Sequence, residues 1–235
     1  MTDAESLLRA RSRREPVASP LLARLLAAPV ETRELRSPAD ESVLLPEEAR
    51  CVERAIAKRR REFAAGRLCA RSAMASLGIA DFPLLVGDDR FPVWPAEAIG
   101  SITHTGDFVG AAVAARSDVA GIGVDVERRG QVEPRLWKQI CTASEIRWLA
   151  ALPRAEQPDM ATVIFSAKEA FYKCQYCVSR SWLGFHDATL KVGAGEFSVE
   201  LLKPVPELAG YASALRGRFE IEAGLVATGI ILPPR

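Results

Sequence analysis

Two acidic residues separated by one valine lie in the stretch GIGVDVERRG, residues 121–130. If this stretch is a β-strand, its side chains alternate, so Asp125 and Glu127 share one face with Gly121 and Gly123. Two carboxylates about 7 Å apart along a strand suit a hard divalent cation that takes oxygen ligands. The two glycines would leave room for a ligand on that face. Taken alone, such a pair is more often the solvated face of a sheet, so other groups must converge on it.

A second set of charged residues lies in FSAKEAFYK, residues 165–173. We predict a helix with Ser166 as its N-cap that runs to about Val178 and carries Glu169 and Lys173 together on its polar side. Ser166 and Glu169 also fit a capping box, and Glu169 with Lys173 fits a surface ion pair. The same carboxylate and ammonium could instead serve a metal ion and its anionic ligand. The pattern leaves both interpretations open.

Positive charge is concentrated in KRRREFAAGRLCARSAM, residues 58–74. Start and stop signals at Pro46 and Gly78 predict one long helix. Arg59 falls inside the predicted buried stripe, where a guanidinium needs a partner because burying an unpaired charge is costly. A phosphate is one candidate partner, and a solvated basic face beside Glu62 is the alternative. The apolar members of the stripe are Val52, Ile56, Phe63, Ala70, Met74 and Leu77, with Arg60, Arg67 and Arg71 along its rim.

Composition and charge exclude several classes of protein. The 235 residues are 49% hydrophobic and 26% charged with a net charge of +1, which is typical of a soluble globular protein. No apolar run approaches the roughly 20 residues that span a bilayer. The sequence begins without the uninterrupted apolar segment of a secretory signal, so we expect a cytoplasmic protein. The basic run is short and lacks interleaved aromatic residues, which argues against nucleic acid as a partner.

The cysteines and histidines limit the metal chemistry. Five scattered cysteines argue against a disulfide framework. Cys174 and Cys177 have the spacing of a zinc half-site, but no second pair supplies the remaining ligands, so we predict core thiols on a helix. Two histidines exclude a histidine-rich centre. A metal site in this chain would therefore use oxygen ligands.

The order of the patterns predicts an α+β protein. After the helical region that ends near Gly78, residues 100–127 are rich in small and β-branched residues and predict two or three strands. A helical pattern with breaks covers residues 133–160, and the helix from Ser166 follows it. The remainder returns to strand patterns with glycine-bearing turns. This order fits two similar halves that meet near residue 118.

Five motifs in this order resemble those of the 4′-phosphopantetheinyl transferases of the Sfp/EntD type: RRREFAAGRLCAR, PVWP, GSITHTGDFVGAAVA, GIGVDVE and FSAKEAFYK. Each motif is short, but their order and spacing between residues 59 and 173 are specific. The resemblance implies two similar α+β subdomains related by a pseudo-twofold axis, with the active-site cleft between them. Residues 1–20 would form an N-terminal arm, residues 21–118 the first subdomain and residues 119–235 the second.

The resemblance also implies the metal site and the catalytic groups. Asp125, Glu127 and Glu169 would bind Mg²⁺, and Lys173 would contact the phosphates of coenzyme A. Glu169, directly or through a water, is the candidate base that accepts a proton from the attacking hydroxyl.

Further residues are implied to hold the nucleotide and phosphates of coenzyme A, namely Arg59, Arg67, Thr103 and His104. His104, in the motif SITH, would lie near the 3′-phosphate. The stretch GDDRFP, residues 87–92, departs from the family because the basic, glycine-containing turn common before the proline is absent. Arg90 would replace the expected cation, and the negative charge of Asp89 beside it would oppose its attraction for a phosphate.

The implied reaction transfers the 4′-phosphopantetheinyl group from coenzyme A to a serine of an apo acyl or peptidyl carrier protein. It would require Mg²⁺ and release 3′,5′-ADP. We expect a monomer that binds neither nucleic acid nor membrane. Two alternatives stay open, because an Asp-x-Glu pair with a distant Glu is not unique to one reaction. They are a magnesium-dependent phosphohydrolase or nucleotidyl transferase, and an inactive module that binds coenzyme A or carrier proteins.

Overall fold

The computed structural model describes residues 20–234, so nearly all of the predicted N-terminal arm lies outside the described residues. The helices of the described chain are α1 (Leu21–Leu25), α2 (Pro46–Cys51), α3 (Ala57–Ser76), α4 (Trp137–Ile140), α5 (Ala143–Ala151) and α6 (Gln157–Ser179). Its strands are β1 (Glu31–Leu35), β2 (Ala98–Thr105), β3 (Phe108–Ala115), β4 (Gly121–Arg128), β5 (Ala188–Val192), β6 (Glu196–Leu201), β7 (Arg216–Glu222) and β8 (Leu225–Leu232). Short 3-10 helices lie at Glu41–Val43, Pro134–Leu136 and Pro206–Ala214.

The strands form two antiparallel sheets. The smaller sheet has the order β1-β3-β2, and the larger has the order β4-β8-β7-β6-β5. Helix α3 packs on the smaller sheet, and α6 packs on β4 and β8 of the larger one. The predicted α+β class is confirmed, and residues 100–127 hold parts of three strands as expected. The division into subdomains near residue 118 stays a prediction.

The two sheets meet where β2 lies beside β4. The hydroxyl of Ser101 accepts a hydrogen bond from the backbone N–H of Val124 at 3.1 Å, and that of Thr103 accepts one from Val126 at 2.9 Å. Side-chain hydroxyls therefore satisfy strand amides that would otherwise be buried without a partner. This seam places the carboxylate of Asp125 next to the SITH motif.

The glycines of β4 admit a helix rather than a ligand. A Cβ atom on Gly123 would lie 1.7 Å from the carbonyl oxygen of Ala170, and one on Gly121 would lie 2.6 Å from that of Cys174. Both backbones belong to α6, which packs directly on this strand. The prediction that these glycines leave room for a ligand is therefore wrong. Their small size lets α6 approach β4 closely enough for its polar residues to reach Asp125.

Helix α6 begins earlier than the sequence suggested. It starts at Gln157, with a proline in its first turn, so Ser166 lies inside the helix and is not an N-cap. Ser166 is fully buried, and its hydroxyl is 2.9 Å from that of Thr228 on β8. The predicted capping box is wrong because Ser166 pairs with the sheet. Cys174 and Cys177 lie on this helix as thiols, as predicted.

The long helix predicted from Pro46 to Gly78 is two helices. The chain leaves helical geometry between α2 and α3, and Ile56, predicted to be buried, is 73% exposed as the N-cap of α3. The carboxylate of Glu48 in α2 is fully buried, where it accepts a hydrogen bond from the Leu84 amide at 3.0 Å and pairs with Arg71 of α3. Among the described residues, no helix combines the length and the apolar character needed to cross a membrane.

Candidate active site

A cleft of about 470 Å³ opens between α3, the seam of β2 and β4, and the polar side of α6. Each residue that the sequence analysis assigned to the site lies on its wall: Arg59, Arg67, Arg90, Thr103, His104, Asp125, Glu127, Glu169 and Lys173. Residues far apart in sequence therefore converge on one cavity. Its acidic end is formed by β4 and α6, and its basic wall by α3 and the turn at residues 87–92.

Asp125 is the most buried acid of the site. One of its oxygens, Oδ1, accepts a hydrogen bond from Lys173 Nζ at 2.7 Å and lies 3.4 Å from the hydroxyl of Thr103. The other oxygen, Oδ2, is buried and has no hydrogen-bond partner among the described residues. A buried carboxylate oxygen without a partner is unfavourable. This atom is therefore available to a cation.

Lys173 pairs with Asp125 and not, as the spacing suggested, with Glu169. Its ammonium also donates to the carbonyl oxygen of Val124 at 3.1 Å. Because α6 lies close to the glycines of β4, the lysine reaches across to the strand instead of along its own helix. The result is an ammonium held at the acidic end of the cleft, where an anionic ligand would meet it.

The other two acids have raised pKa values. Burial, followed by the charge of Asp125, raises the pKa of Glu127 to about 7, against the opposing effects of Gln131, Lys173 and Thr105. Burial also raises the pKa of Glu169, with Lys173 lowering it and Asp125 raising it further. Three carboxylates thus share one ammonium, and the negative charge is only partly balanced. An additional cation would relieve this repulsion.

The acids have the donor chemistry of a magnesium site. Within residues 20–234, no three His, Cys, Asp or Glu side chains already form a cluster that could hold a metal ion. The unpaired Oδ2 of Asp125 and the raised pKa values of Glu127 and Glu169 nevertheless fit a hard cation, because it binds carboxylate oxygens and favours their ionised form. These residues therefore could hold Mg²⁺.

On the basic wall, Arg59 and His104 contact each other. The guanidinium of Arg59 donates to His104 Nε2 at 2.7 Å, which places the imidazole proton on Nδ1, 4.0 Å from the carboxylate of Glu62. Burial, and then the charge of Arg59, lower the pKa of His104, so the ring is neutral at neutral pH. Glu62 was assigned only to a solvated face. Its position three residues after Arg59 was the signal that it shares the cleft.

Arg67, rather than Arg59, is the buried arginine of α3. Its residue is 6% exposed, its guanidinium lies 3.7 Å from the centre of the Phe63 ring, and its Nε donates to the carbonyl of Leu84 at 2.9 Å. Burial lowers its pKa to about 10, so it stays charged at neutral pH. Arg59 is half exposed, because α3 begins only two residues before it. Within the described part of the chain Arg67 forms no salt bridge with a carboxylate, so this buried cation is suited to an anionic ligand.

Aromatic residues that the sequence analysis did not assign to the cleft complete its walls. Phe91, Tyr172 and Trp182 line it, and a neighbouring apolar pocket of about 320 Å³ shares Glu169, Tyr172 and Trp182 with it. Trp182 is 73% exposed, which is unusual for so large an apolar side chain. The site therefore continues from the charged cleft into an apolar recess.

Several known proteins of one family are similar to this chain. Residues 47–114 match the family model of the 4′-phosphopantetheinyl transferase N-terminal domain, and residues 121–222 match that of the 4′-phosphopantetheinyl transferase superfamily. The 4′-phosphopantetheinyl transferase Svp of Streptomyces mobaraensis is 41% identical over 194 residues, which cover 80% of this chain and 78% of Svp. PptT of Mycobacterium tuberculosis is 36% identical over 197 residues, or 80% of this chain and 86% of PptT. Among solved structures, the holo-[acyl-carrier-protein] synthase of Thermotoga maritima matches 50% of this chain and 65% of its own at 20% identity, with a TM-score of 0.39. The chain belongs to the 4′-phosphopantetheinyl transferase superfamily, as its motifs predicted.

Proposed function

We propose that this protein, as a monomer, transfers the 4′-phosphopantetheinyl group from coenzyme A to a serine of an acyl or peptidyl carrier protein. The reaction would require Mg²⁺ and release 3′,5′-ADP. One observation carries the proposal, namely that a single cleft has an acidic end with an ammonium and a basic wall. Coenzyme A has a 3′-phosphate at one end and a pyrophosphate further along. Its binding therefore needs a basic wall for the 3′-phosphate and an acidic, metal-binding end for the pyrophosphate.

The acidic end suits the pyrophosphate. A bound Mg²⁺ would neutralise charge on the phosphate oxygens as the reaction proceeds. Asp125, Glu127 and Glu169 would hold it, because Asp125 has an unpaired buried oxygen and the other two acids have raised pKa values that a cation would lower. Lys173 Nζ, fixed by Asp125 and the Val124 carbonyl, would donate to a phosphate oxygen from the side of α6.

The basic wall suits the nucleotide. Arg67 supplies a buried guanidinium beside Phe63, and Arg59 with His104 supplies donors for a phosphate monoester. A phosphate placed between Arg59 and His104 would raise the pKa of the imidazole, because it introduces negative charge beside a ring whose pKa is held low. Glu62 would keep the ring oriented through Nδ1.

The chemical step needs a proton acceptor more than a covalent catalyst. The carrier serine oxygen forms a bond to the β-phosphorus, the bond from that phosphorus to the bridging oxygen breaks, and the electron pair leaves with 3′,5′-ADP. The serine proton would pass to Glu169, directly or through a water. This carboxylate lines the same cleft as Asp125 and Lys173, which places it at the end proposed for the pyrophosphate. Lys173 would stabilise the charge that develops on the pyrophosphate.

Intact mass spectrometry of a carrier protein tests the proposal. The purified protein is incubated with coenzyme A, magnesium chloride and several apo carriers, and we expect the phosphopantetheinyl mass to be added to at least one carrier. Hydrolysis of coenzyme A without any carrier would support a phosphohydrolase. Binding of coenzyme A without transfer to any carrier would support an inactive binding module. Either result would contradict the proposal.

A further inference from the structure

A tight turn at residues 87–92, here called the clasp turn, joins the basic wall of the cleft to α6. The amide of Arg90 donates to the Gly87 carbonyl, and the amide of Gly87 donates to the Phe91 carbonyl, each at 2.8 Å. Arg90 lies at the apex with φ +68°, a region that residues other than glycine, asparagine and aspartate rarely adopt. An arginine held there suggests that its side chain has a use.

Ring stacking and a hydrogen bond fasten the clasp turn to α6. The ring of Phe91 stacks on that of Tyr176 with centroids 4.0 Å apart and planes 15° apart. The hydroxyl of Tyr176 donates to Asp89 Oδ2 at 2.9 Å. Arg180, just beyond the end of α6, lies 3.8 Å from the same carboxylate oxygen and 5.5 Å from the Tyr176 ring centre.

Asp89 links this attachment to the shape of the turn. Its other oxygen, Oδ1, accepts a hydrogen bond from the backbone amide of Phe91 at 3.0 Å. That amide, then Tyr176 and Arg180, hold the pKa of Asp89 below its ordinary value, so the carboxylate is charged at neutral pH. Asp89 is therefore paired with Tyr176 of α6 and with Arg180. The sequence analysis expected it to oppose the charge of Arg90, which the structure does not bear out. Among the described residues, the guanidinium of Arg90 has no carboxylate partner, and it lies on the cleft wall.

We propose that Asp89, Phe91 and Tyr176 form a clasp that holds the turn against α6 and thereby positions Arg90 to contact a phosphate of coenzyme A. Asp89 and Tyr176 are positioning residues in this proposal. The ligand rests on the proposed function, whereas the attachment itself does not. The clasp would also compensate for the basic, glycine-containing turn that this chain lacks, because it directs an arginine into the cleft from a strained backbone.

Hydrogen–deuterium exchange tests the attachment without any substrate. Tyr176→Phe removes the hydroxyl that reaches Asp89 but keeps the stacked ring. We expect the amides of residues 87–91 to exchange about fivefold faster in this variant, which corresponds to the loss of one hydrogen bond of ordinary strength. The matched control is Asp88→Asn, because it removes one charge from the same turn and, in the described chain, no hydrogen bond to α6. Unchanged exchange in Tyr176→Phe would overturn the clasp.

Kinetics and binding test the positioning role. We expect Tyr176→Phe to raise KM and the dissociation constant for coenzyme A by about fivefold with kcat within twofold, because an interaction with bound substrate is weakened while the acidic end is untouched. Asp89→Asn should act in the same direction, and Asp88→Asn should match the unmodified protein. Faster exchange with unchanged affinity for coenzyme A would show that Tyr176 holds the turn against α6 but does not position Arg90 for coenzyme A. That result would overturn the proposal.

A double-mutant cycle separates positioning from general destabilisation. If Tyr176 acts through Arg90, its substitution should add little to the KM for coenzyme A once Arg90→Ala is present. If the effect were merely structural, the Tyr176 substitution would raise the KM for coenzyme A equally in the unmodified protein and in Arg90→Ala. That result would overturn the proposal. If the unmodified protein transfers nothing to any carrier, the proposed function is wrong. The exchange rates and the dissociation constant for coenzyme A still test whether the clasp exists and positions Arg90.

Discussion

Lys173 Nζ donates to Asp125 Oδ1 at 2.7 Å, while Oδ2 of the same carboxylate is buried without a partner in the described chain. The two residues are 48 positions apart in the sequence, and their charged hydrogen bond links α6 to β4. Because the lysine uses one oxygen only, the carboxylate can bind an ammonium and a metal ion together. This contact connects the packing of α6 on β4 with the chemistry of the cleft.

The first prediction concerns Asp125. Asp125→Asn keeps the size of the side chain and an oxygen that can accept from Lys173, but it removes the charge that would bind Mg²⁺. We expect kcat to fall about 100-fold or more. The pKa of Glu127 should fall as well, since the charge of Asp125 contributes to raising it to about 7. Transfer assays and carbon-13 NMR titration measure the two effects, and unchanged turnover would remove Asp125 from the metal site.

The second prediction is a pH dependence of stability caused by Glu127. Its pKa is about 7 in the folded protein and near the ordinary value of 4.5 when the protein is unfolded, so the folded state holds the proton more tightly. Its contribution to stability is therefore full below about pH 4.5 and is lost as the pH rises to 7. Glu127→Gln should thus gain stability relative to the unmodified protein at pH 8, by on the order of 1 kcal/mol after allowance for solvent screening.

Denaturant unfolding without metal at pH 4.5 and pH 8 measures this difference. The advantage of Glu127→Gln should appear only at the higher pH, and saturating Mg²⁺ should abolish it, because the ion stabilises the ionised carboxylate of the unmodified protein. An advantage of equal size at both pH values would contradict the assignment of the raised pKa to this residue.

The sequence was sufficient for the fold class and for nine of the residues that line the cleft, but not for its aromatic wall or for how the charged side chains pair. Alternation along β4 correctly put both acids on one face. It could not show that α6 covers the glycine end of that face, since this depends on a contact between Gly123 and Ala170 that no local pattern encodes. For the same reason, Lys173 was paired with its helical neighbour Glu169 instead of with Asp125.

Burial along the arginine-rich helix could not be predicted from periodicity alone. The predicted stripe assumes an uninterrupted helix, whereas the break before Ala57 exposes Arg59. Arg67 is buried because Phe63 and the Leu84 carbonyl receive its guanidinium, and Leu84 belongs to a distant loop. Likewise, nothing local to GDDRFP indicates that Asp89 is paired with Tyr176, a residue 87 positions away.

The third prediction concerns His104 and the 3′-phosphate. Because burial and Arg59 hold the pKa of His104 low, its ring is neutral in the free protein at neutral pH. We expect the affinity for coenzyme A to rise as the pH falls from 8 to 6, since a bound phosphate favours the protonated imidazole. Replacement by His104→Gln should flatten this pH dependence. Calorimetry with coenzyme A measures it, and dephospho-coenzyme A, which lacks the 3′-phosphate, is the control ligand that should show no such rise.

The last prediction concerns the close approach of α6 to β4. Gly123→Ala would place a Cβ atom 1.7 Å from the backbone oxygen of Ala170 and 2.9 Å from the Cβ of Cys174. Backbone atoms in the middle of a long helix cannot rotate away, so α6 must shift from the strand. We expect a loss of about 3 kcal/mol or more of unfolding free energy.

The shift should also impair the site, because Lys173 reaches Asp125 only while the helix lies against Gly123. Transfer activity measured well below the lowered melting temperature should therefore fall, with kcat affected as well as KM. Gly193→Ala is the matched control, since its added Cβ would meet only the Glu196 carbonyl, at 3.9 Å, in a surface turn. If Gly123→Ala were as stable and as active as this control, the glycine would not be what brings the ammonium and the carboxylate together.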